Sequence, residues 1–107
     1  MQQISAEALH QWLNDENREK PLLLDVREPW EFERCHIAGA ELVPMREIPA
    51  RAASLDADRQ TVVICHHGIR SAQVGMFLEN NGFANIINLQ GGVAAWAERV
   101  DPGMARY

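Results

Sequence analysis

The chain has 107 residues, of which 47% are hydrophobic and 23% charged, a balance that suits one globular domain over residues 1–107 and excludes an intrinsically disordered chain. Ten basic against 15 acidic side chains leave a formal net charge of −5 with no lysine or arginine cluster, which speaks against a nucleic-acid or anionic-membrane partner. The apolar runs are only a few residues long and MQQISAEALH lacks the layout of an export signal, so a cytoplasmic protein is expected, in which Cys35 and Cys65 are poor candidates for a structural disulfide.

Taken in chain order, the elements alternate between the two periodicities. Ser5 is placed to cap a helix through SAEALHQWLND, where Ala8, Leu9, Trp12 and Leu13 recur at helical spacing. The run Leu22, Leu23, Leu24 reads as a strand covered on both faces. Pro29 suits the first turn of a short helix, PWEFER. A short strand over residues 40–43 is stopped by Pro44, and a helical stretch is expected between Met45 and Ser54. TVVIC, with four β-branched residues at 61–64, is the most strand-like segment of the chain. SAQVGMFLENNG reads as a helix with Val74, Phe77 and Leu78 on one face and a stop at Asn81 and Gly82. IINL is a last strand, GG a tight turn and VAAWAERV a final helix. Strands alternating with helices predict an α/β domain in three layers, with a central parallel sheet of about five strands and helices on both faces.

In that architecture the place of Cys65 is informative. Sites in open α/β sheets form outside the carboxyl ends of strands, where backbone amides and a helix N-terminus converge. Cys65 falls at such an end, and HHGIR separates it from the next expected helix. That stretch is long enough to curl the backbone so that several N–H groups face one centre, with Gly68 free to take a left-handed turn. Amide dipoles, the helix N-terminus and Arg70 would all favour a thiolate there. The alternative is a free cysteine buried at a strand end for packing alone.

Three blocks, in order, carry a resemblance to a known family: LLLDVREPWEFERCHIAGAELVP, VVICHHGIRS and GFANIINLQGGVAAW. Together they resemble the single-domain rhodanese, or sulfurtransferase, family over nearly the whole chain. The resemblance implies that Cys65 is the catalytic residue. It would take a sulfane sulfur from a donor such as thiosulfate or a persulfide, become a persulfide itself, and pass the sulfur to a thiol or to cyanide. The backbone amides from His66, His67, Gly68, Ile69, Arg70 and Ser71 would hold the anionic outer sulfur as an oxyanion hole holds oxygen. No cofactor and no metal are expected, since adjacent His66 and His67 without further ligands make a poor zinc site. The resemblance also implies a sulfur-relay protein as a candidate partner.

Two other functions stay open. A phosphatase on a similar fold would also use a loop cysteine and arginine, but with five residues between them where HHGI has four. A binding module of this fold without catalysis typically lacks the cysteine. The chain departs from the family pattern at Cys35, which stands where glycine is usual before His-Ile. It is read either as a filler of a small-residue position or as a second thiol. For His36 packing or hydrogen bonding is expected, for Asp25 and Arg27 a structural ion pair, with a substrate role for Arg27 as the alternative. Trp12, Trp30 and Trp96 are expected to be core or half-buried, and His10 a surface residue.

Overall fold

The computed structural model describes residues 1–107. Five parallel strands form one sheet in the order β1-β5-β4-β2-β3. They are β1 (Gln2–Ile4), β2 (Leu22–Asp25), β3 (Glu41–Leu42), β4 (Thr61–Ile64) and β5 (Ile86–Leu89). The helices are α1 (Ala6–Leu13), α2 (Pro29–Arg34), α3 (Ile48–Arg51), α4 (Ile69–Asn80) and α5 (Gly92–Arg99), and short 3-10 turns at Met45–Glu47 and Ala52–Ser54 flank α3. No helix is long and apolar enough to cross a membrane.

The central strand β4 explains the layering. Its residues are buried throughout, and because side chains alternate across a strand, they feed two separate cores. Val62 and Ile64 pack with Leu9, Trp12, Leu89 and Trp96 beneath α1 and α5. Val63 and Cys65 pack with Leu24, Ile48, Val74 and Leu78 beneath α3 and α4. The two faces together make the three-layer α/β arrangement expected from the alternating pattern.

Local signals act as the sequence suggests at several points. Ser5 Oγ accepts from the Ala8 amide at 3.1 Å and caps α1. Pro29 opens α2, and the Glu28 amide donates to the Glu31 carboxylate at 2.9 Å, closing the first turn. Trp12 and Trp96 lie in the core, whereas Trp30 is 60% exposed. Phe77 also differs from expectation. Val74 and Leu78 are buried against the sheet, but Phe77, at the edge of that face, is 37% exposed. Residues 45–54 form a broken helical stretch instead of one helix, and β1 is an edge strand that no apolar run announces.

Candidate active site

Cys65 follows the last residue of β4 and is buried at the carboxyl edge of the sheet. Its Sγ accepts a hydrogen bond from the Gly68 amide at 3.0 Å and lies 3.2 Å from Ser71 Oγ. The helix that follows starts earlier than the sequence pattern suggests. Gly68 adopts φ +97° as the N-cap of α4, so Ile69 and Arg70 already belong to the first helical turn. The loop proper is therefore Cys65 to Gly68, and the thiol stands at the N-terminal end of a 12-residue helix, where the first amides have no intrahelical partner. A Cβ at Gly68 would lie 3.3 Å from the Leu89 carbonyl and the Gly91 amide, a tight contact that adds to the strain of the left-handed backbone.

Helix α5 holds the loop from the other side. The Val93 amide donates to the Cys65 carbonyl at 2.9 Å, and the Ala94 amide to the His66 carbonyl at 3.0 Å. Since no peptide bond is cis, each carbonyl drawn toward α5 turns the following N–H away from it. The amides of His66 and His67 are thereby directed away from the helix. Gly91 and Gly92 permit this approach. Both have positive φ, and a Cβ at Gly92 would lie 2.4 Å from the Cys65 and His66 carbonyl oxygens.

Three polar side chains that the sequence does not single out complete the surroundings. Asn88, on β5, donates from Nδ2 to Gln3 Oε1 at 2.9 Å and to the Gly68 carbonyl at 3.2 Å. These two acceptors set the orientation of its amide, so Oδ1 faces Ser71 and accepts the serine hydroxyl proton at 2.5 Å. With that proton engaged, the Ser71 oxygen is left as an acceptor for the Cys65 thiol. Glu31, on α2, takes Arg70 in a bidentate pair at 2.7 and 2.9 Å and accepts the Tyr107 hydroxyl at 2.8 Å. The Arg70 hydrogen bonds hold the Glu31 carboxyl at about 2, and the same pairing raises Arg70 above its ordinary value. Tyr107 in turn accepts from Arg27 at 2.9 Å, and burial pushes its hydroxyl up to about 12.

Of the residues expected at the site, the structure gathers all of Cys65 to Ser71 around one strand-to-helix turn, with unequal roles for their side chains. His66 stacks between His67 and Tyr107, at centroid distances of 4.1 and 4.0 Å. Burial first, and then the neighbouring His67, lower the His66 pKa. Ile69 points outward and is 70% exposed. Arg70 spends both terminal nitrogens on Glu31. Asp25 and Arg27 form a fully buried ion pair, with contacts of 2.8 to 3.1 Å, and Arg27 also donates to the Cys35 carbonyl at 2.6 Å. All the donors of Arg27 face protein acceptors, in line with a structural role. Cys35 lines a cavity of about 180 Å³ with His66, His67 and Tyr107, and Cys65 does not border that cavity. His36 stacks on Phe32 at 3.9 Å and its Nδ1 lies 2.8 Å from the Phe32 carbonyl oxygen. No group of three or more His, Cys, Asp or Glu side chains converges to hold a metal ion.

Comparison with known proteins bears on the same features. A family model described as the rhodanese-like domain matches residues 5–99. A protein of Allochromatium vinosum named "Sulfurtransferase" is 38% identical over 103 residues, which are 96% of this chain and 94% of that one. The "Probable adenylyltransferase/sulfurtransferase MoeZ" of Mycobacterium tuberculosis is 40% identical over 106 residues, covering 97% of this chain but only 26% of that protein. Among solved structures, a rhodanese-like domain protein from Staphylococcus aureus superposes with a TM-score of 0.85 at 31% identity, over 100% of this chain and 99% of that one. Fold and relatives agree, and the chain belongs to the rhodanese-like domain family.

Proposed function

We propose that the protein is a sulfurtransferase that carries a sulfane sulfur on Cys65. The observation that carries this reading is the setting of Cys65 Sγ, at a strand end, 3.0 Å from the Gly68 amide and at the N-terminus of α4. A thiolate there attacks the outer sulfur of a donor such as thiosulfate. The S–S bond of the donor breaks, sulfite leaves with the bonding pair, and Cys65 becomes a persulfide. The acceptor, a thiolate or cyanide, then attacks the outer persulfide sulfur, and the Cys65 thiolate departs as leaving group. One transfer is split into two displacements, each at a sulfur atom.

The remaining residues of the loop serve this chemistry by holding charge. The outer sulfur of a persulfide is anionic, and the first-turn amides of Ile69, Arg70 and Ser71, with those of His66 and His67, are the donors available to it. Relatives named as sulfurtransferases at similar length and identity support the same reaction class. The relative named as a putative sulfur carrier protein supports a relay partner as donor or acceptor. A phosphatase reading fares worse on the geometry. To grip a tetrahedral phosphate in bidentate fashion, Arg70 would have to abandon both of its contacts with Glu31, and only four residues separate it from Cys65.

Intact-mass spectrometry after incubation with thiosulfate tests the proposal. One added sulfur mass is expected, located on the peptide containing Cys65 and removed by a reductant. Cys65→Ser should abolish transfer while the melting transition stays cooperative, and Cys35→Ser should leave the sulfur on Cys65. Sulfur found only on Cys35, or full turnover by the Cys65→Ser protein, would reassign the nucleophile.

A further inference from the structure

The residues beyond the family match return to the site. After α5, residues 101–107 fold back along α2, tied by Arg34, which donates to the Arg106 carbonyl at 3.1 and 2.9 Å, and by Arg106, which donates to the Ala97 carbonyl at 3.1 Å. This brings Tyr107 against the Cys65 loop. Its ring lies over the His66 imidazole, with centroids 4.0 Å apart and planes 25° from parallel, and the edge of Trp30 meets it at 5.4 Å. Its hydroxyl accepts from Arg27 at 2.9 Å and donates to Glu31 at 2.8 Å.

We propose that Tyr107 is a positioning residue of the Cys65 loop, its ring seating His66 and its hydroxyl seating the carboxylate that holds Arg70. This rests on the sulfurtransferase reading for its chemistry, though its geometry stands apart from it. A tail that merely closed the core would pack an apolar side chain on apolar neighbours. Tyr107 packs against the core beneath α5 and on Trp30, but it also meets one polar group at each end of the loop. His66 is the residue next to Cys65, and Glu31 fixes Arg70 in the first turn of α4. The two ends of the span that supplies the amides are thus held from one side chain.

The hydroxyl is matched to its place. It has one proton, which goes to Glu31, and a lone pair that receives the Arg27 donor. Glu31 then has contacts on both oxygens: the Glu28 amide and Arg70 on Oε1, Arg70 and Tyr107 on Oε2. Without Tyr107, one carboxylate oxygen would face Arg70 alone, and Arg27 would keep only its longer 3.3 Å contact to the Glu31 carbonyl from the same nitrogen besides the sulfur of Cys35. The ring acts separately, by covering His66. The charged and titratable groups around that imidazole are His67, Glu31, Arg27, Arg70 and Tyr107 itself, with Cys35, Glu98 and Arg106 lining the same cavity.

The test compares the parent with Tyr107→Phe and Tyr107→Ala, by steady-state transfer of sulfur from thiosulfate to cyanide and by NMR titration of the His66 ring. In Tyr107→Ala, kcat should fall by a factor on the order of 10, as expected when reacting groups lose alignment, while KM for thiosulfate changes less. The uncovered His66 should titrate at higher pH than in the parent. Tyr107→Phe keeps the stack but loses the hydroxyl, so His66 should titrate as in the parent while kcat returns only in part, the remaining loss measuring the hydroxyl's hold on Glu31. If Tyr107→Ala does not melt cooperatively, Tyr107→Leu, which keeps apolar volume without the stack, takes its place. A parent-like kcat in the alanine or leucine protein overturns the proposal. So does a loss of kcat with His66 titrating unchanged, because the tail would then act on the fold as a whole. An inactive parent would sink the sulfurtransferase reading instead, and the His66 titration would still judge the placement of Tyr107.

Discussion

Glu31 and Arg70 stand 39 positions apart in the chain and meet in a bidentate pair, with contacts of 2.7 and 2.9 Å. The carboxylate is almost fully buried on α2, and the guanidinium, 35% exposed, begins α4. Because the pair joins the two helices beside the Cys65 loop, the arginine that closes the loop is compensated and held in place.

Replacing Glu31 by Gln should therefore loosen the start of α4 and leave a half-buried arginine uncompensated. The expected cost is about 1–2 kcal/mol, less than for a wholly buried pair because water reaches Arg70. Denaturant unfolding measures it. Sulfur transfer should fall as well, through misplacement of the first helical turn.

The same pair sets a pH dependence. The Glu31 carboxyl is lowered from 4.5 to about 2 in the folded protein, so the stability it contributes is present above its ordinary value and is lost as pH falls toward the folded one. Between about pH 4.5 and pH 2 the parent should lose stability more steeply than Glu31→Gln. Identical acid-unfolding curves for the two proteins would show that the pair is not formed in solution.

Asn88→Asp probes the loop with almost no change of shape. The substitution keeps an acceptor for Ser71 but replaces the donor to the Gly68 carbonyl and to Gln3 with an oxygen. Two oxygens would then face each other, displacing Gly68, whose amide donates to Cys65 Sγ. Persulfide loading, followed by mass spectrometry over time, should slow by a factor on the order of 10 or more, as for loss of an oxyanion-hole donor.

Gly92→Ala should be worse tolerated than Gly39→Ala, although both positions have positive φ. At Gly39 no atom lies within 4 Å of an added Cβ, whereas at Gly92 two loop carbonyl oxygens lie at 2.4 Å. Backbone strain alone costs about 1–3 kcal/mol at either site, and the overlap adds to it at Gly92. A thermal melt should rank the two variants in that order, and only Gly92→Ala should reduce sulfur transfer beyond its effect on the folded fraction.

The parts of the site that were legible in the sequence are those made by neighbours in the chain. A β-branched run ending in Cys65, followed by a glycine and a helix, locates the turn by local rules. Asn88, Glu31 and Tyr107 are invisible to such rules, since each acts through a partner on another element. Asn88 looks like a strand residue among apolar neighbours, and Glu31 like one more acidic side chain in the first turn of a short helix. A polar residue inside IINL, a strand that the structure buries throughout, was the available signal for Asn88. Glu31 also fits a Glu28-to-Glu31 helix cap, which its geometry satisfies at the same time. Strand β1 escaped because its three residues pair only at the sheet edge and two of them are exposed. Phe77 and Trp30 show the remaining limit: periodicity assigns a helical face but not whether another element covers it.

The two amides of α5 that bind the Cys65 and His66 carbonyls also order events in time. These contacts, unlike the turn of α4, join segments separated by all of α4 and β5, and closing such a long loop is entropically late. Helix α4 can form from nearby residues, while the curled backbone beside the thiol is completed only when residues 92–94 have docked. During synthesis, then, a nascent chain that has just exposed Cys65 lacks the curled backbone beside its thiol. On the proposed sulfurtransferase reading, such a chain would take up sulfur on Cys65 only once α5 has docked, and a partly made chain would be spared a reactive persulfide.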